Sequence, residues 1–333
     1  MVTEAKITVE LESVHTADAL GLIEQLSREL AVHYVDGRKG SGDFRPTDMD
    51  VPRACFVVAR LDGIAMGCGA IRPWDDDPTH MAEVKRMFVQ PDVRGRGISR
   101  LILARLEEAA RDHGYVTTIL ETGDRQLEAI GLYEKAGYTR CDCWGKYSTS
   151  AWSLCYRKAL PVIESLDAAG AIKAINDLTG LLYDAVNNGA SVGFLPPLDM
   201  DTARRYWADE VIPALSTGQR VLLVAKLDGH MVGTAQLVLI EKANGPHRAE
   251  VVRVLVHSTQ RRHGLGRALM RAIETHAQRL GRTTLVLDTR TGDSGERLYR
   301  SLGWVHVGDI PDYVINEKGV LEATSIYYRL FNP

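Results

Sequence analysis

The sequence predicts an α+β chain made of two copies of one mixed-sheet unit flanked by helices, and three observations predict it. A glycine-rich turn occurs twice, as Arg94-Gly95-Arg96-Gly97-Ile98-Ser99 and as Arg261-Arg262-His263-Gly264-Leu265-Gly266, each between a strand-like and a helix-like run. A glutamate precedes each turn at one distance, Glu83 eleven residues before Arg94 and Glu250 eleven before Arg261. Strand-like runs with helices inserted at two fixed places then recur in the same order in both halves, which is a layered α+β pattern.

The repeat extends past the turn. Ala59-Arg60-Leu61-Asp62-Gly63 returns as Ala225-Lys226-Leu227-Asp228-Gly229, and Leu132-Tyr133 with Gly137-Tyr138 returns as Leu298-Tyr299 with Gly303-Trp304. The offset stays at 166 or 167 residues. The expected domains are therefore 1–160 and 161–333, meeting at Leu160-Pro161, and 333 residues suit two ordinary cores better than one.

In copy one, apolar periodicity predicts a helix from Ala19 to Tyr34. Strands are expected at Cys55 to Leu61, Ile64 to Pro73 and Glu83 to Val89, separated by Asp-Gly or Pro-Asp turns. After the glycine turn, Ile98, Leu101, Ile102, Leu106, Ala109 and Ala110 recur at helical spacing. A strand at Val116 to Glu121, a helix at Leu127 to Ala136 and two closing strands complete the unit. Copy two repeats the order, with strands at Val221 to Leu227, Met231 to Ile240 and Glu250 to Val256, then a helix carrying Leu265, Leu269, Ile273 and Leu280 on one face. A strand at Leu285 to Asp288, a helix at Glu296 to Leu302 and terminal strands follow.

A formal net charge of −3 gives no global reason for nucleic-acid binding, and the arginines of the Arg-Gly-Arg-Gly segment are isolated, so no nucleic-acid partner is expected. The amino terminus lacks a basic start and an apolar signal core, and no apolar run approaches the roughly 20 residues of a membrane span. A cytoplasmic location without membrane contact is the expectation. Cys55, Cys68, Cys141, Cys143 and Cys155 are an odd number of thiols in a chain without a secretion signal, so reduced cysteines are expected. Cys141-x-Cys143 has no second Cys/His pair at ligand spacing, which argues against a metal.

A strand that ends in a glycine turn and starts a helix gathers several N–H groups in one concavity, where the helix dipole adds positive charge. Gly97 and Gly264 permit close approach of a phosphate, and Arg94, Arg96, Arg261, Arg262 and His263 add charge around it. Neither copy ends in the Gly-Lys-Ser/Thr of a P-loop, and the glycine spacing is not that of the dinucleotide fingerprint. The alternative is a capped helix with surface arginines.

These residues resemble the GNAT superfamily of acetyl-CoA-dependent N-acetyltransferases, whose pyrophosphate signature is Arg/Gln-x-x-Gly-x-Gly/Ala. Arg261, Gly264 and Gly266 match it fully; Arg94 and Gly97 match, with Ser99 in the last position. Copy one is similar to bacterial members in Glu83 to Pro91, Glu121 to Gly123 and Gln126 to Tyr138. Copy two resembles the tabtoxin-resistance type in Gly189-Ala190-Ser191-Val192-Gly193-Phe194 and in Gly308 to Tyr313. The resemblance implies partly splayed sheets, with main-chain bonds from Met87-Phe88-Val89 and Val254-Leu255-Val256 to a pantetheine arm. It also implies a diphosphate seated on residues 94–99 and 261–266, Ile98 and Leu265 included.

The implied reaction is direct attack of a neutral amine on acetyl-CoA in a ternary complex, the acceptor being an antibiotic-like or amino-acid-like small molecule. An alkyl amine with pKa near ~10 costs roughly 4 kcal/mol to neutralise at pH 7, so a positioned base is useful. Glu83 and Glu250 hold the place of the family's glutamate base; otherwise they are edge-of-strand carboxylates that neutralise Arg86 or Arg253. Tyr133 and Tyr299 hold the place of the tyrosine that protonates departing thiolate, or else pack on the sheet. His257 is a surface residue or touches ligand. Trp144, Tyr147 and Trp152 line the substrate side of copy one or simply pack, and Gly189 to Pro197 is an acceptor loop or a turn. Ser99 leaves open a non-catalytic CoA-binding or structural N-terminal half; the acceptor could also be a peptide or protein amine. The halves could pair as a pseudo-dimer.

Overall fold

A computed structural model describes residues 6–33 and 44–331 of the chain. The chain folds as two compact units, Met1–Leu160 and Pro161–Pro333. The first contains β1 (Ile7–Glu12), α1 (Ala17–His33), β2 (Cys55–Leu61), β3 (Ile64–Trp74), β4 (Asp77–Val89), α2 (Ile98–Asp112), β5 (Thr117–Gly123), α3 (Leu127–Lys135), β6 (Thr139–Arg140) and β7 (Ser153–Ala159). The second contains β8 (Val162–Leu166), α4 (Ala168–Lys173), α5 (Ile175–Asn187), α6 (Met200–Arg205), α7 (Ile212–Ser216), β9 (Arg220–Leu227), β10 (His230–Leu239) and β11 (Arg248–Val256). It continues with α8 (Leu265–Arg279), β12 (Thr284–Arg290), α9 (Ser294–Ser301), β13 (Val305–Ile315) and β14 (Leu321–Leu330).

Each unit builds one seven-stranded sheet, in the orders β1-β2-β3-β4-β5-β7-β6 and β8-β9-β10-β11-β12-β14-β13. The two orders are the same once the copies are aligned. The predicted α+β class holds, and the Asp-Gly turns are tight hairpins with both residues at positive φ, Asp62 at 49° with Gly63 at 86° and Asp228 at 49° with Gly229 at 81°. The opening strands β1 and β8 were not expected. Both are short edge strands; the strict apolar–polar alternation of Ile7 to Glu12 was the signal for the first, while Val162 to Leu166 carries no such pattern. Strand β4 also starts at Asp77 rather than Glu83: Asp77 pairs with Trp74 and Ala82 with Pro73, and the register shift between them carries the exposed Pro78, Thr79 and His80, which break the apolar pattern. The expected helix end at Tyr34 lies outside the described residues.

The cysteines depart from expectation. Cys143 and Cys155 form a disulfide, with Cα atoms 5.2 Å apart, and Cys55, Cys68 and Cys141 are free. A count of thiols cannot reveal that the chain after β6 runs back beside β7, where the Cys141 amide donates to the Cys155 carbonyl at 3.0 Å.

Helices α2 and α8 cover one face of their sheets with Ile98, Ile102, Leu103 and Leu106, and with Leu265, Leu269, Met270 and Ile273, all buried. Each also buries a glutamate. Glu107 takes Lys158 Nζ at 2.8 Å on both oxygens, and its counterpart Glu274 accepts from Trp304 Nε1 at 2.7 Å. Removing one partner of such a buried pair costs about 3–5 kcal/mol. The helices approach closely because glycines face them: a Cβ on Gly233 would stand 2.9 Å from both the Leu255 carbonyl oxygen and Leu269 Cδ1. Since backbone cannot yield, Gly233→Val is expected to lower the stability of the C-terminal unit by about 3 kcal/mol, readable as an earlier urea midpoint for that unit.

Candidate active site

In each sheet one strand pair is parallel, and it parts early. The β4–β5 pairing ends at Glu83↔Ile119 and the β11–β12 pairing at Glu250↔Val286. Beyond those pairs β4 and β11 each run six more residues, and β5 and β12 each run four. The result is a wedge whose walls carry backbone N–H and C=O groups with no partner across the gap. Met87-Phe88-Val89 and Val254-Leu255-Val256 form its far wall. They remain paired on their outer side, Phe88 with Cys68 and Leu255 with Thr234. A bulge marks the same place in both copies, at Arg86 (φ 55°) and Arg253 (φ 51°), and strengthens the local twist that parts the strands.

The glycine turns close the mouth of each wedge. Gly97 and Gly264 cap α2 and α8 at φ 79° and 87°, preceded by positive φ at Gly95 and Arg262. The amides of Gly95 to Ser99, and those of Arg262, Gly264, Leu265 and Gly266, have no backbone acceptor outside their helices among the described residues. These are helix-terminal donors in need of an anion. Arg96, Arg262 and His263 are exposed beside them.

The first arginines of the two motifs do otherwise. Arg94 Nη2 lies 2.6 and 2.7 Å from the Glu29 carboxylate, and its Nε donates to the Val89 carbonyl at 3.0 Å. Arg261 Nη1 donates to the Asn188 carbonyl at 2.7 Å and its Nε to the Val256 carbonyl at 3.3 Å. Both side chains brace the strand end against α1 or α5, which leaves the turn's amides as the donors open to an anion.

The candidate base residues differ sharply between copies. Glu83 is 2% exposed, and both of its oxygens are engaged: Oε2 by Arg72 Nη2 at 3.0 Å and Oε1 by Lys85 Nζ at 2.8 Å. Arg72 sits directly opposite it on β3. In copy two the residue opposite Glu250 is Val238, and Val252 stands where Lys85 does. Glu250 accordingly has no ion pair within 4.0 Å among the described residues. Burial and the nearby charge of Asp288 push its carboxyl above the usual range, against the pull of Arg220 and Arg253.

Tyr133 and Tyr299 are buried at 5% and 8% exposure. Burial, reinforced by Glu121, raises the Tyr133 phenol; burial with Asp288 and Asp293 pushes the Tyr299 phenol up to about 12. Such phenols keep their proton at neutral pH, which suits a donor. Sequence reasoning missed Glu121 and Asp288, aligned residues on β5 and β12 beyond the last parallel pair. Their charges reach both the glutamate and the tyrosine of their copy. The Glu121-Thr122-Gly123 run contained the signal, but register was needed to aim it into the wedge.

In the N-terminal unit the wedge opens into a cavity of about 670 Å³. Glu83, Glu121, Met87 and Tyr133 line it, together with the aromatic residues Trp74, Trp144, Tyr147 and Trp152. Trp144 meets Trp74 edge-on at 5.9 Å and Tyr147 at 6.0 Å, and the Cys143–Cys155 disulfide anchors the start of this aromatic loop. His257 is partly exposed, its Nε2 3.7 Å from Asp184. Among the described residues no cluster of side chains could hold a metal ion, and no helix is long and apolar enough to cross a membrane.

The profile of the acetyltransferase (GNAT) family matches residues 23–138 and again 185–304. The chain belongs to the GNAT acetyltransferase family. Both GNAT matches span a wedge and its glycine turn. An "IAA acetyltransferase" from Azospirillum brasilense is 38% identical over 154 residues, covering 46% of this chain and 98% of that protein. An "N-acetylaspartate synthetase" from Rattus norvegicus is 33% identical over 124 residues, 37% of this chain and 41% of that one. Among solved structures, a putative acyl-CoA N-acyltransferase from Klebsiella pneumoniae subsp. pneumoniae MGH 78578 is 28% identical, covers 46% of this chain and 97% of its own, and has a TM-score of 0.38. GNAT membership makes the chain an acetyltransferase with acetyl-CoA as its cofactor. The wedge and turn fit that group, offering strand edges to its amide arm and free amides to its diphosphate.

Proposed function

We propose that the chain transfers an acetyl group from acetyl-CoA to a primary amine of a small molecule, with the C-terminal domain as the principal catalyst. The observation that carries this reading is Glu250, an uncommitted and half-buried carboxylate at the apex of the wedge, where the charge of Asp288 acts on both it and Tyr299. Acetyl-CoA supplies the activated thioester. Glu250 accepts a proton from the amine nitrogen as the new C–N bond forms. Tyr299 delivers its proton to sulfur as the C–S bond breaks, and Arg261 holds the strand end in place. Relatives named for small molecules support that acceptor class.

The pH dependence follows from the sign of the shift. A raised carboxyl is protonated, and so useless as a base, over a wider acidic range than an ordinary glutamate. The kcat/KM of the full chain should rise with pH through a limb above the usual carboxylate range and then level off. Glu250→Gln should erase that limb and lower kcat/KM about 100-fold. A profile that keeps its acidic limb in the variant removes Glu250 from the base role.

A second reading is favoured by Glu121. It lines the N-terminal cavity, receives the Ser153 hydroxyl at 2.7 Å and has no ion pair among the described residues. Burial raises its carboxyl. In that reading the N-terminal domain is also an acetyltransferase, with Glu121 as base in place of the clamped Glu83.

A further inference from the structure

The loop Gly189 to Phe194 stands directly over one side chain of β11. A Cβ on Gly193 would lie 3.0 Å from Arg253 Nη2 and 3.1 Å from Nη1. The guanidinium carbon of Arg253 is 5.4 Å from the Phe194 ring centroid and 5.2 Å from that of Tyr206, two rings that meet edge-on at 5.5 Å. Its Nε is buried without a hydrogen-bond partner, and no carboxylate lies within 4.0 Å of the guanidinium among the described residues.

A second arginine stands nearby in the same state. Arg220 Nη1 donates to Gln236 Oε1 at 2.9 Å and to the Tyr206 hydroxyl at 3.3 Å, yet its Nε is buried and unpartnered. Gln236, fully buried, has an unpartnered Nε2. The charges of both arginines act on Glu250.

A guanidinium keeps its charge at any physiological pH and offers five donors in a planar fork. Aromatic faces return about 0.5–2 kcal/mol to a desolvated cation, no more than a single unmade buried hydrogen bond costs, about 1–3 kcal/mol. The rings therefore hold Arg253 in position without completing it. An anion from outside would. The diphosphate is excluded, because the Gly264 turn lies beyond Val256, on the order of 10 Å further along at strand spacing. Glu250 lies in the opposite direction, three residues back on the same strand, and the Arg253 charge acts on its carboxyl.

We propose that the acceptor of the C-terminal domain carries a carboxylate bound by Arg253, so that the substrate is an amino acid or a close analogue with its amine directed at Glu250. This rests on the acetyl-transfer reading above and narrows it to a class. Arg86, the counterpart in the N-terminal domain, lies over the Phe44 ring at 4.4 Å, so the bulge carries a ring-supported arginine in both copies.

The experiment measures CoA release by the full chain, carrying Gly97→Val to block the N-terminal turn, with a panel of amino acids and their carboxamides. The acid-to-amide ratio of kcat/KM should fall about tenfold or more in Arg253→Met, mainly through KM, since one charged fork is lost. Arg253→Lys should retain part of the preference, and matching melting curves exclude unfolding as the cause. Comparing ratios between variants cancels the different basicities of acids and amides. Transfer with an unchanged ratio in Arg253→Met overturns the carboxylate assignment and leaves acetyl transfer standing. No transfer to any amine overturns both.

Discussion

Replacing Tyr299 by phenylalanine should lower kcat for acetyl transfer about 100-fold or more while leaving the KM for acetyl-CoA nearly unchanged. The ring is 8% exposed and packs on Trp304 and Tyr327 at centroid distances of 6.2 and 6.0 Å. Phenylalanine keeps all of that packing and removes one oxygen, so the fold and the wedge persist. What disappears is a proton held at about 12 until a thiolate needs it. A thiol has an ordinary pKa of about 8.5, so the phenol alone is the weaker acid, and donation is useful only as the C–S bond breaks. An interaction made only in the transition state registers in kcat and leaves ground-state binding alone. Steady-state kinetics at saturating amine are the check, and an unchanged kcat would reduce Tyr299 to a packing residue.

Gly264→Val should abolish acetyl-CoA binding in the C-terminal domain, a loss of at least about 100-fold in affinity. Two effects combine. Gly264 sits at φ 87°, where a β-branched residue is strained by about 1–3 kcal/mol. Its surroundings are also open, with nothing within 4 Å of a built Cβ. The new side chain would therefore project into the space where the turn's amides meet the diphosphate. Gly229→Val supplies the control, because Gly229 has nearly the same φ, 81°, in a hairpin turn with equally open surroundings. Calorimetric titration of the full chain should show one class of site lost in the first variant and none in the second. Retained binding at Gly264→Val would displace the cofactor from this turn.

Much of the architecture was legible because repetition made each local signal count twice. The Asp-Gly hairpins, the glycine turns and the helix faces all follow from backbone chemistry that neighbours in sequence decide. Side-chain partnerships across strands were less legible. Only part of what distinguishes Glu83 from Glu250 is local, the replacement of Lys85 by Val252 two positions on; the other part lies opposite them, where Arg72 is replaced by Val238. The motif arginines looked like phosphate ligands by composition, yet Arg94 finds Glu29 on a helix 65 residues earlier. The disulfide and the Gly193–Arg253 contact depend likewise on chain returning from a distance.

The parted strands have a bearing on how such a chain tolerates change. A ligand gripped by peptide groups asks only that the wall stay extended, so identity along it is free to drift. The two copies have done so at two of its three steps: methionine against valine at 87 and 254, phenylalanine against leucine at 88 and 255, with valine kept at 89 and 256. Their gaps nevertheless begin at the same rung and have the same overhang. The durable element of each site is thus a shape written in main chain, while the residues that choose an acceptor diverge around it.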